Sequence, residues 1–181
     1  MMLGTVVLGV VLTACAADTS APAKSDAAAK ETTVQVRLLD ENGELGPVTT
    51  VPKVIKTDAE WRKQLTPDQY KIARAKGTEQ AFCGVLLDQK KPGVYYCVCC
   101  DLPLFEAGTK FHSGTGWPSF YAPIAAENVI THKDLSYGME RSEIVCARCE
   151  AHLGHVFDDG PAPTGLRYCL NSASLVFKEK K

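Results

Sequence analysis

The sequence predicts a mainly β fold that is preceded by short helices and carries a structural zinc site, and three observations lead to this prediction. From Gly77 onward, short runs rich in β-branched and aromatic residues alternate with Gly, Pro and Asp, as in GVYYCVC, NVITHKD and LRYCLNSASLVF. Two helix-capping signals lie before these runs. Two C-x2-C pairs lie within them, and this spacing is typical of a four-cysteine zinc site.

Composition limits the function classes. The chain of 181 residues is long enough for one domain with a proper core. Its net charge is −1, from 20 basic and 21 acidic side chains, which argues against a protein whose main role is to hold a phosphate backbone. The sequence contains no apolar run of the roughly 20 residues that a membrane-spanning helix needs.

The N-terminal segment predicts export. An apolar run from Leu3 to Ala14 has the length of a signal-peptide core, although no Lys or Arg precedes it, and Cys15 follows directly. The stretch LTAC resembles the lipobox of bacterial lipoproteins, in which the cysteine is lipidated. We expect a signal peptide and lipobox over residues 1–15 and a disordered tether over residues 16–33. The protein would then be exported to the periplasm or cell envelope, and its only contact with the membrane would be the lipid on the cysteine. The alternative is a frayed hydrophobic tail.

Residues 34–55 predict a β-hairpin ahead of the main domain. Apolar and polar side chains alternate from Val34, which is the period of a strand with one buried face. Asn42-Gly43 follows, and this dipeptide is a strong signal for a tight hairpin turn. We therefore expect an N-terminal hairpin extension and assign residues 56–181 to the main domain.

Two short helices are expected to follow the hairpin. Thr57 and Glu60 have the spacing of a capping box, and Thr66 is followed by Pro67 at the first helical position. Gly77 is a natural stop for the second helix. The expected helices therefore cover residues 58–65 and 67–76.

The two C-x2-C pairs predict a closed metal site. Cys97 and Cys100 form one pair, and Cys146 and Cys149 form the other. Disulfides are the alternative, and they have weight in an exported protein. Zinc accounts for both pairs at once, and four protein ligands leave no open position for a substrate. Cys99 lies inside the first pair and is expected to pack away from the metal.

Cys169 lies in a strand-like stretch, LRYCLNSASL, between polar neighbours. Residues two apart on a strand share a face, so Arg167, Cys169 and Asn171 are expected to point the same way. A neighbouring cation favours the thiolate, which is the reactive form of cysteine. The alternative, a small buried apolar residue, accounts poorly for the two polar neighbours.

Four further residues have both a structural and a functional interpretation. Cys83 lies in TEQAFCG, where a buried structural cysteine is the plainer interpretation. His152 and His155 are either satisfied loop histidines or a pair suited to proton transfer, because histidine titrates near neutral pH. Trp117, in GTGWPSF, is either a core residue or the wall of an apolar pocket.

These features together resemble peptide methionine sulfoxide reductase of the B type, which acts on the R epimer of methionine sulfoxide. The matching stretches are GTEQAFCG, YYCVCCDLPLF, KFHSGTGWPSFY, GMERSEIVCARCEAHLGHVFDDGP and PTGLRYCLNSASLVF, and they span about residues 56–177. Such enzymes reverse methionine oxidation, with one enzyme for each epimer. The resemblance implies coiled antiparallel β-sheets, a β-tent, with short N-terminal helices packed against them.

The resemblance also implies roles for the candidate residues. Cys169 would be the nucleophile, and Arg167 would help to activate its thiol. Trp117 would hold the substrate methyl group in an apolar pocket. The other implied residues are His152, His155 and Asn171, which bind or protonate the sulfoxide, and the zinc ligands Cys97, Cys100, Cys146 and Cys149.

One position departs from the commonest pattern of this family. Many members carry a second redox cysteine as G-C-G-W, where this chain has Thr115. Some members instead place a cysteine in the segment that matches AFCG, which is Cys83 here. The resemblance therefore implies a sulfenic acid on Cys169, then a Cys83–Cys169 disulfide, then reduction by a thioredoxin-like donor. The expected partners are oxidised proteins or peptides, without nucleic acid, and the protein is expected to be a monomer.

Three other functions fit parts of the sequence. A non-catalytic zinc-binding β module that captures a partner protein explains the paired cysteines, but not Cys169, Trp117 or the two histidines. A general thiol–disulfide exchanger lacks a C-x-x-C apart from the predicted zinc pairs. A nucleic-acid-binding zinc ribbon disagrees with the near-zero net charge.

Overall fold

The computed structural model describes Met1 and residues 32–180, and within them two α-helices and eleven strands are found. The helices are α1 (Asp58–Gln64) and α2 (Pro67–Ala73). The strands are β1 (Thr33–Leu39), β2 (Leu45–Pro52), β3 (Gly93–Cys97), β4 (Pro103–Glu106), β5 (Lys110–Phe111), β6 (Ser119–Phe120), β7 (Val129–Asp134), β8 (Arg141–Cys146), β9 (His152–Phe157), β10 (Arg167–Leu170) and β11 (Leu175–Glu179).

The strands form three antiparallel sheets. β1 pairs with β2, a three-stranded sheet has the order β11-β3-β4, and a six-stranded sheet has the order β5-β6-β10-β9-β8-β7. The predicted mainly β fold with antiparallel sheets and short N-terminal helices is confirmed. The six-stranded sheet contains Cys169 and both candidate histidines, so it positions the site.

Both helices begin where the capping signals predict. The side chain of Thr57 accepts a hydrogen bond from the backbone N–H of Glu60, and Glu60 bonds back to the Thr57 N–H. Thr66 and Gln69 make the same reciprocal pair at the start of α2. Each box satisfies two of the backbone donors that a helix leaves unpaired at its start.

α2 ends at Ala73, earlier than the predicted end at residue 76. The residue that leaves the helical conformation is Lys76, with φ of 54°, and Gly77 then donates its N–H to the carbonyl of Lys71 at 2.9 Å. A left-handed conformation is unfavourable for a residue with a Cβ. Lys76 makes an ion pair with Glu143 at 2.8 Å, and this interaction helps to offset the strain of its left-handed backbone.

The N-terminal hairpin is present and is attached to the rest of the structure by buried contacts. Gly43 supplies the positive φ, 77°, that its turn requires. Val36 is fully buried. The buried amide of Asn128 accepts from the N–H of Arg37 at 2.8 Å and donates to the carbonyls of Arg37 and Pro103 at 2.8 and 2.7 Å. The hairpin is therefore fastened to the main domain as well as paired with itself.

Aromatic side chains join the three-stranded sheet to the six-stranded sheet. Tyr95 on β3 and Phe105 on β4 pack against Phe120 on β6, with ring centroids 4.9 and 4.8 Å apart. All three are fully buried. Burial of each large apolar side chain stabilises the fold by about 1.5–3 kcal/mol. The core therefore lies directly behind the strands that carry the candidate site.

The predicted signal peptide and tether lie outside the described residues, apart from Met1, Thr32 and Thr33. Within the part of the chain that the structure describes, none of the helices has the length and apolar character needed to cross a membrane.

Candidate active site

Strand register places two candidate side chains and two others in one row across the six-stranded sheet. Cys169 on β10 lies opposite Ser119 on β6 and opposite His155 on β9. His155 in turn lies opposite Glu143 on β8. Directly opposed residues of an antiparallel sheet point to the same face. Ser119, Cys169, His155 and Glu143 therefore share one face of the sheet, although they are far apart in the sequence.

A β-bulge adds His152 to this face. The register between β8 and β9 shifts between Ile144 and Val145, which leaves Leu153 as an extra residue on β9. Without the bulge, residues three apart would point to opposite faces of a strand. With it, the rings of His152 and His155 come within 5.6 Å of each other, centroid to centroid.

Gly154 is needed where β9 approaches β10. A Cβ built at Gly154 would overlap the carbonyl oxygen of Cys169. Any side chain here would push the two strands apart and move the histidines away from the thiol. The glycine in HLGH therefore permits the close strand approach on which the row depends.

Each candidate histidine is paired with a carboxylate. The Nδ1 of His152 lies 2.7 Å from Oε1 of Glu143, and the Nε2 of His155 lies 2.8 Å from Oδ2 of Asp134. His152 is only 3% exposed and Glu143 only 5%. Burial lowers the pKa of His152, and the hydrogen bond and charge of Glu143 partly oppose this.

The two carboxylates are held as anions. Hydrogen bonds from Ser136 lower the pKa of Asp134 most, and a hydrogen bond from His155 lowers it further. Burial alone would raise the pKa of Glu143, but the hydrogen bonds from Lys76 and His152 outweigh it, and the pKa is lowered overall. Both groups therefore act as hydrogen-bond acceptors for the imidazoles at neutral pH.

Arg167 is positioned beside Cys169 by a bidentate ion pair. Its Nε and Nη2 donate to the two carboxylate oxygens of Asp159, each at 2.9 Å, and its guanidinium lies 4.5 Å from the centroid of the Phe157 ring. Burial raises the pKa of the Cys169 thiol, while the charge of Arg167 and a hydrogen bond with Thr115 oppose that rise. The half-buried thiol therefore has two neighbours that stabilise its thiolate.

Hydroxyl groups form the other side of the thiol site. Ser113 Oγ lies 2.8 Å from Thr115 Oγ1 and 2.8 Å from Ser119 Oγ. Thr115 in turn lies near enough to Cys169 to oppose the rise in the pKa of its thiol. The hydroxyl chain thus connects β6 to the loop before Trp117 and fixes that loop next to the thiol.

Trp117 forms part of the wall of a cavity of about 800 Å³, together with Phe82 and Gly116. Its indole N–H donates to the carbonyl of Glu79 at 3.2 Å, and the N–H of Phe82 donates to the carbonyl of Gly116 at 2.8 Å. Trp117 is only half-buried, so the structure places it in a cavity wall, which suits an apolar group of a substrate, and not in the core.

Glu79 is a central residue of the site that the sequence analysis missed. Its carboxylate accepts the backbone N–H groups of Ser172 and Ala173 at 2.6 and 3.0 Å, and its carbonyl accepts the indole N–H of Trp117. Its own N–H donates to Oδ1 of Asn171 at 3.0 Å. No motif in the sequence marks it, because it acts through backbone groups that only the fold brings near.

Asn171 is the first residue after β10, which ends at Leu170, so the expectation that it continues the strand is wrong. The 3-10 turn Ser172–Ser174 begins directly after it. Its amide is engaged with the backbone, since Oδ1 accepts from Glu79 and Nδ2 donates to the carbonyl of Leu153 at 3.2 Å. The Asn171 side chain therefore links β9 to the backbone of Glu79, whose carbonyl accepts the indole N–H of Trp117.

Cys83 is an exposed free thiol, and Cys169 is a half-buried one. Cys83 lines a second cavity, of about 450 Å³, together with Glu79 and Ser172. It is not the buried structural cysteine that its sequence setting first suggested. The structure brings its segment against the loop of Trp117, through the contact between Phe82 and the backbone of Gly116.

The four paired cysteines come together in a cluster that could hold a metal ion. The Sγ atoms of Cys97, Cys100, Cys146 and Cys149 all lie within 4.8 Å of one another, and the two closest pairs are 3.5 Å apart. Four thiolates around zinc at about 2.3 Å would be about 3.8 Å apart in a tetrahedron, so the residues fit such an ion. Cys99 is buried in the core beside the cluster.

Comparisons with known proteins agree with this arrangement. The family described as SelR domain matches residues 65–179. Peptide methionine sulfoxide reductase MsrB of Pseudomonas putida (strain W619) is 58% identical over 128 residues, which are 71% of this chain and 96% of that protein. The corresponding protein of Hahella chejuensis (strain KCTC 2396) is 58% identical over 125 residues, 69% of this chain and 90% of its own length. Peptide methionine sulfoxide reductase B1, chloroplastic, of Oryza sativa subsp. japonica is 64% identical over 124 residues, 68% of this chain and 58% of its own length. The chain therefore belongs to the peptide methionine sulfoxide reductase B family, and it is an oxidoreductase that acts on methionine sulfoxide.

Proposed function

We propose that the protein reduces the R epimer of methionine sulfoxide in oxidised proteins and peptides, with Cys169 as the nucleophile. The observation that carries this proposal is the row in which the half-buried Cys169 lies directly opposite His155, with Arg167 and Thr115 beside the thiol. A thiol in that position has groups that stabilise its thiolate and a neighbouring group that can transfer a proton. A non-catalytic zinc module would need none of them.

The first step is attack of the Cys169 thiolate on the sulfoxide sulfur. The substrate methyl group rests against Trp117, which orients the sulfur toward the thiol. His155 or His152 protonates the sulfoxide oxygen as the sulfur–oxygen bond breaks, and general acid assistance of this kind typically contributes about 10²–10⁴-fold. The oxygen passes to the cysteine, so methionine leaves and Cys169 becomes a sulfenic acid. The substrate sulfur is reduced by two electrons, and the Cys169 sulfur is oxidised by two.

The second step is resolution by Cys83. Its thiol attacks the sulfenic sulfur, which forms the Cys83–Cys169 disulfide and releases water. The Cβ atoms of a disulfide lie about 3.5–4.5 Å apart. Cys83 is exposed and Cys169 is half-buried, so this step requires the segment that carries Cys83 to approach β10. A thioredoxin-like dithiol then reduces the disulfide by thiol exchange.

The cluster of Cys97, Cys100, Cys146 and Cys149 holds a structural zinc ion in this proposal. Zinc would supply cross-linking of two separate turns and no chemistry on the substrate, because four protein ligands leave no open position. The all-thiol donor set and its spacing support zinc over the hard cations, which prefer oxygen.

We also propose that residues 1–15 direct export and that Cys15 carries a lipid anchor, in a monomeric protein. The apolar run and the LTAC stretch support this proposal. In cells that express the full chain, a labelled fatty acid should be incorporated, and a Cys15→Ser variant should lose the label. Equal labelling of both proteins would contradict lipidation at this residue.

The direct test of the reaction uses the separated R and S epimers of a methionine sulfoxide peptide, with dithiothreitol as reductant. The proposal predicts that the R epimer is reduced and the S epimer is not. If neither epimer is reduced by folded, zinc-loaded protein, the catalytic proposal fails and the zinc-module function gains support.

A further inference from the structure

Glu143 is a buried carboxylate whose two oxygens have different partners. Oε1 lies 2.7 Å from Nδ1 of His152, and Oε2 lies 2.8 Å from the ammonium of Lys76. The side chain of Glu143 is 6% exposed, that of His152 is 4% exposed, and that of Lys76 is 68% exposed. A buried anion is unfavourable unless it is paired and hydrogen-bonded, and here both conditions are met. The Glu143–His152 pair lies on the face of the sheet that carries Cys169, since Glu143 lies opposite His155, which lies opposite Cys169.

The bulge in β9 is what brings the two side chains together. It places His152 opposite Val145, which lies on the same face of β8 as Glu143 because the two are two residues apart. The Nδ1 nitrogen of His152 is therefore hydrogen-bonded to the carboxylate of Glu143. A carboxylate accepts only, so the nitrogen it faces carries the proton, and the other ring nitrogen, Nε2, is left to exchange protons.

We propose that Glu143 is a positioning residue for sulfoxide reduction, which holds the Nδ1 proton of His152 and so commits Nε2 to proton exchange at the substrate. This inference rests on the proposed reaction at Cys169. The carboxylate fixes both the tautomer and the orientation of the ring, as the orienting acid of a hydrolase triad does for its histidine. Lys76 pairs with the other oxygen of Glu143, which favours the carboxylate orientation that faces the ring.

The charges around His152 decide the effect of removing the carboxylate. Glu143 lies on β8, Lys76 follows α2, and His155 lies on the same strand as His152. Burial lowers the pKa of His152 most, Glu143 opposes this, and His155 and Lys76 lower it further. Asp134 on β7 is paired with His155 and with Arg141 on β8. Without the charge of Glu143, burial, His155 and Lys76 remain, and each of them lowers the pKa of His152, so protonated His152 would persist only at lower pH.

The test compares Glu143→Gln with the wild-type protein in single turnovers, measured as methionine formed per protein without added reductant. Glutamine keeps the size of the side chain and removes its charge. We expect a loss of about 10²-fold in the rate at neutral pH, because the contribution of a general acid is of this order. The pH at which the rate declines should move to lower values, and the substrate concentration for half-saturation should stay unchanged.

Two further variants separate positioning from a structural role. Glu143→Asp keeps the charge and should recover more of the rate than glutamine does, whereas a purely structural role would favour the glutamine of equal size. Glu140→Gln removes an exposed carboxylate that pairs with Lys133 near the start of β8, and it should retain the wild-type rate and pH profile. Unchanged rate and pH profile in Glu143→Gln would overturn the inference.

Nitrogen NMR of the histidine side chains tests Glu143 without relying on turnover. In the neutral wild-type protein, His152 should show a protonated Nδ1 and an unprotonated Nε2, and its titration should lie at higher pH than in Glu143→Gln. A protonated Nε2 in the neutral wild-type ring would contradict the inference. If the wild-type protein reduces no sulfoxide but shows the predicted tautomer, the proposed function is wrong. The claim that Glu143 fixes the tautomer of His152 is then still supported.

Discussion

The four-cysteine cluster and the Cys169 site use the same side chain for opposite purposes, and they are built in opposite ways. Each half of the cluster is a short local turn. Asp101 and Glu150 follow the two pairs with nearly equal positive φ angles, 59° and 58°, and each donates its N–H to the carbonyl of the first cysteine of its pair. Cys169, in contrast, obtains its neighbours from strands far away in the sequence, through register alone.

This difference predicts different responses to mutation. The cluster joins two turns and is buried, so its loss should destabilise the fold without any direct effect on the reacting atoms. The surroundings of Cys169 combine ion pairs and hydroxyl groups on one face of a sheet, so changes there should alter reactivity more than stability. The predictions that follow test this separation, from the largest expected effect to the smallest.

Cys169→Ser should abolish turnover, with a loss of about 10³-fold or more, because removal of a nucleophile leaves no group to form the covalent intermediate. Methionine formation measures the activity, and metal analysis with a melting curve measures the structure. The melting temperature and zinc content should equal those of the wild-type protein. Appreciable turnover in this variant would remove Cys169 from the role of nucleophile.

Cys146→Ser should lose the metal and lower the melting temperature by about 10 °C or more, because a structural zinc site contributes many kcal/mol to folding. Zinc content and thermal unfolding measure the effect. Cys99→Ser is the matched control, since Cys99 is buried beside the cluster but lies outside its ligand set. Equal zinc loss in both variants would argue against the assigned ligand set.

Cys83→Ser should still form about one methionine per protein, but it should not cycle with a thioredoxin-type donor, because its sulfenic acid has no resolving thiol. Rapid-quench methionine formation and donor-driven turnover measure the two steps separately. Thr115→Cys in the same background should restore cycling, since the side chain of Thr115 lies near enough to Cys169 to influence the pKa of its thiol. Normal donor-driven turnover in Cys83→Ser alone would assign resolution to another thiol.

Arg167→Met should raise the pKa of the Cys169 thiol further above its ordinary value, because burial already raises it and the arginine charge opposes that rise. The thiolate then forms only at higher pH. Alkylation of Cys169 by iodoacetamide, followed by mass spectrometry in the Cys83→Ser background, should show its pH midpoint displaced upward. Lys91→Met, which removes an exposed cation paired with Glu179, should leave that midpoint in place.

Asn128→Ala should destabilise the protein by about 2–4 kcal/mol, because it leaves the backbone partners of a buried amide on Arg37 and Pro103 without hydrogen bonds. Denaturant unfolding measures this loss. The single-turnover rate of the folded variant should stay close to the wild-type rate, since the hairpin lies outside the residues 65–179 that match the family. A clear loss of the single-turnover rate in the folded variant would show that the hairpin supports the site.

Local patterns in the sequence predict the parts of this structure that depend on neighbouring residues. The C-x2-C pairs predict the cluster, the capping boxes predict the helix starts, and Asn42-Gly43 predicts the hairpin turn. The helix end was missed because the left-handed residue is Lys76, which no propensity favours there. Its contact with Glu143 is a tertiary interaction and has no local signal.

The parts that depend on register could not be predicted from the pattern alone. Alternation places Arg167 and Cys169 on one face, but it places His152 and His155 on opposite faces, and only the bulge at Leu153 reverses this. Glu79 and Glu143 are ordinary acidic residues in the sequence. Their roles follow from backbone groups and strand partners that come near only in the folded chain.

The most direct test of the separation between the two cysteine sites is one experiment on the wild-type, zinc-loaded protein without any reductant. Excess peptide with R methionine sulfoxide is added, methionine is counted, released zinc is measured with a chelating dye, and disulfides are mapped by mass spectrometry. The account predicts about one methionine per protein, a Cys83–Cys169 disulfide and retention of zinc. A disulfide within the four-cysteine cluster, accompanied by zinc release, would contradict it.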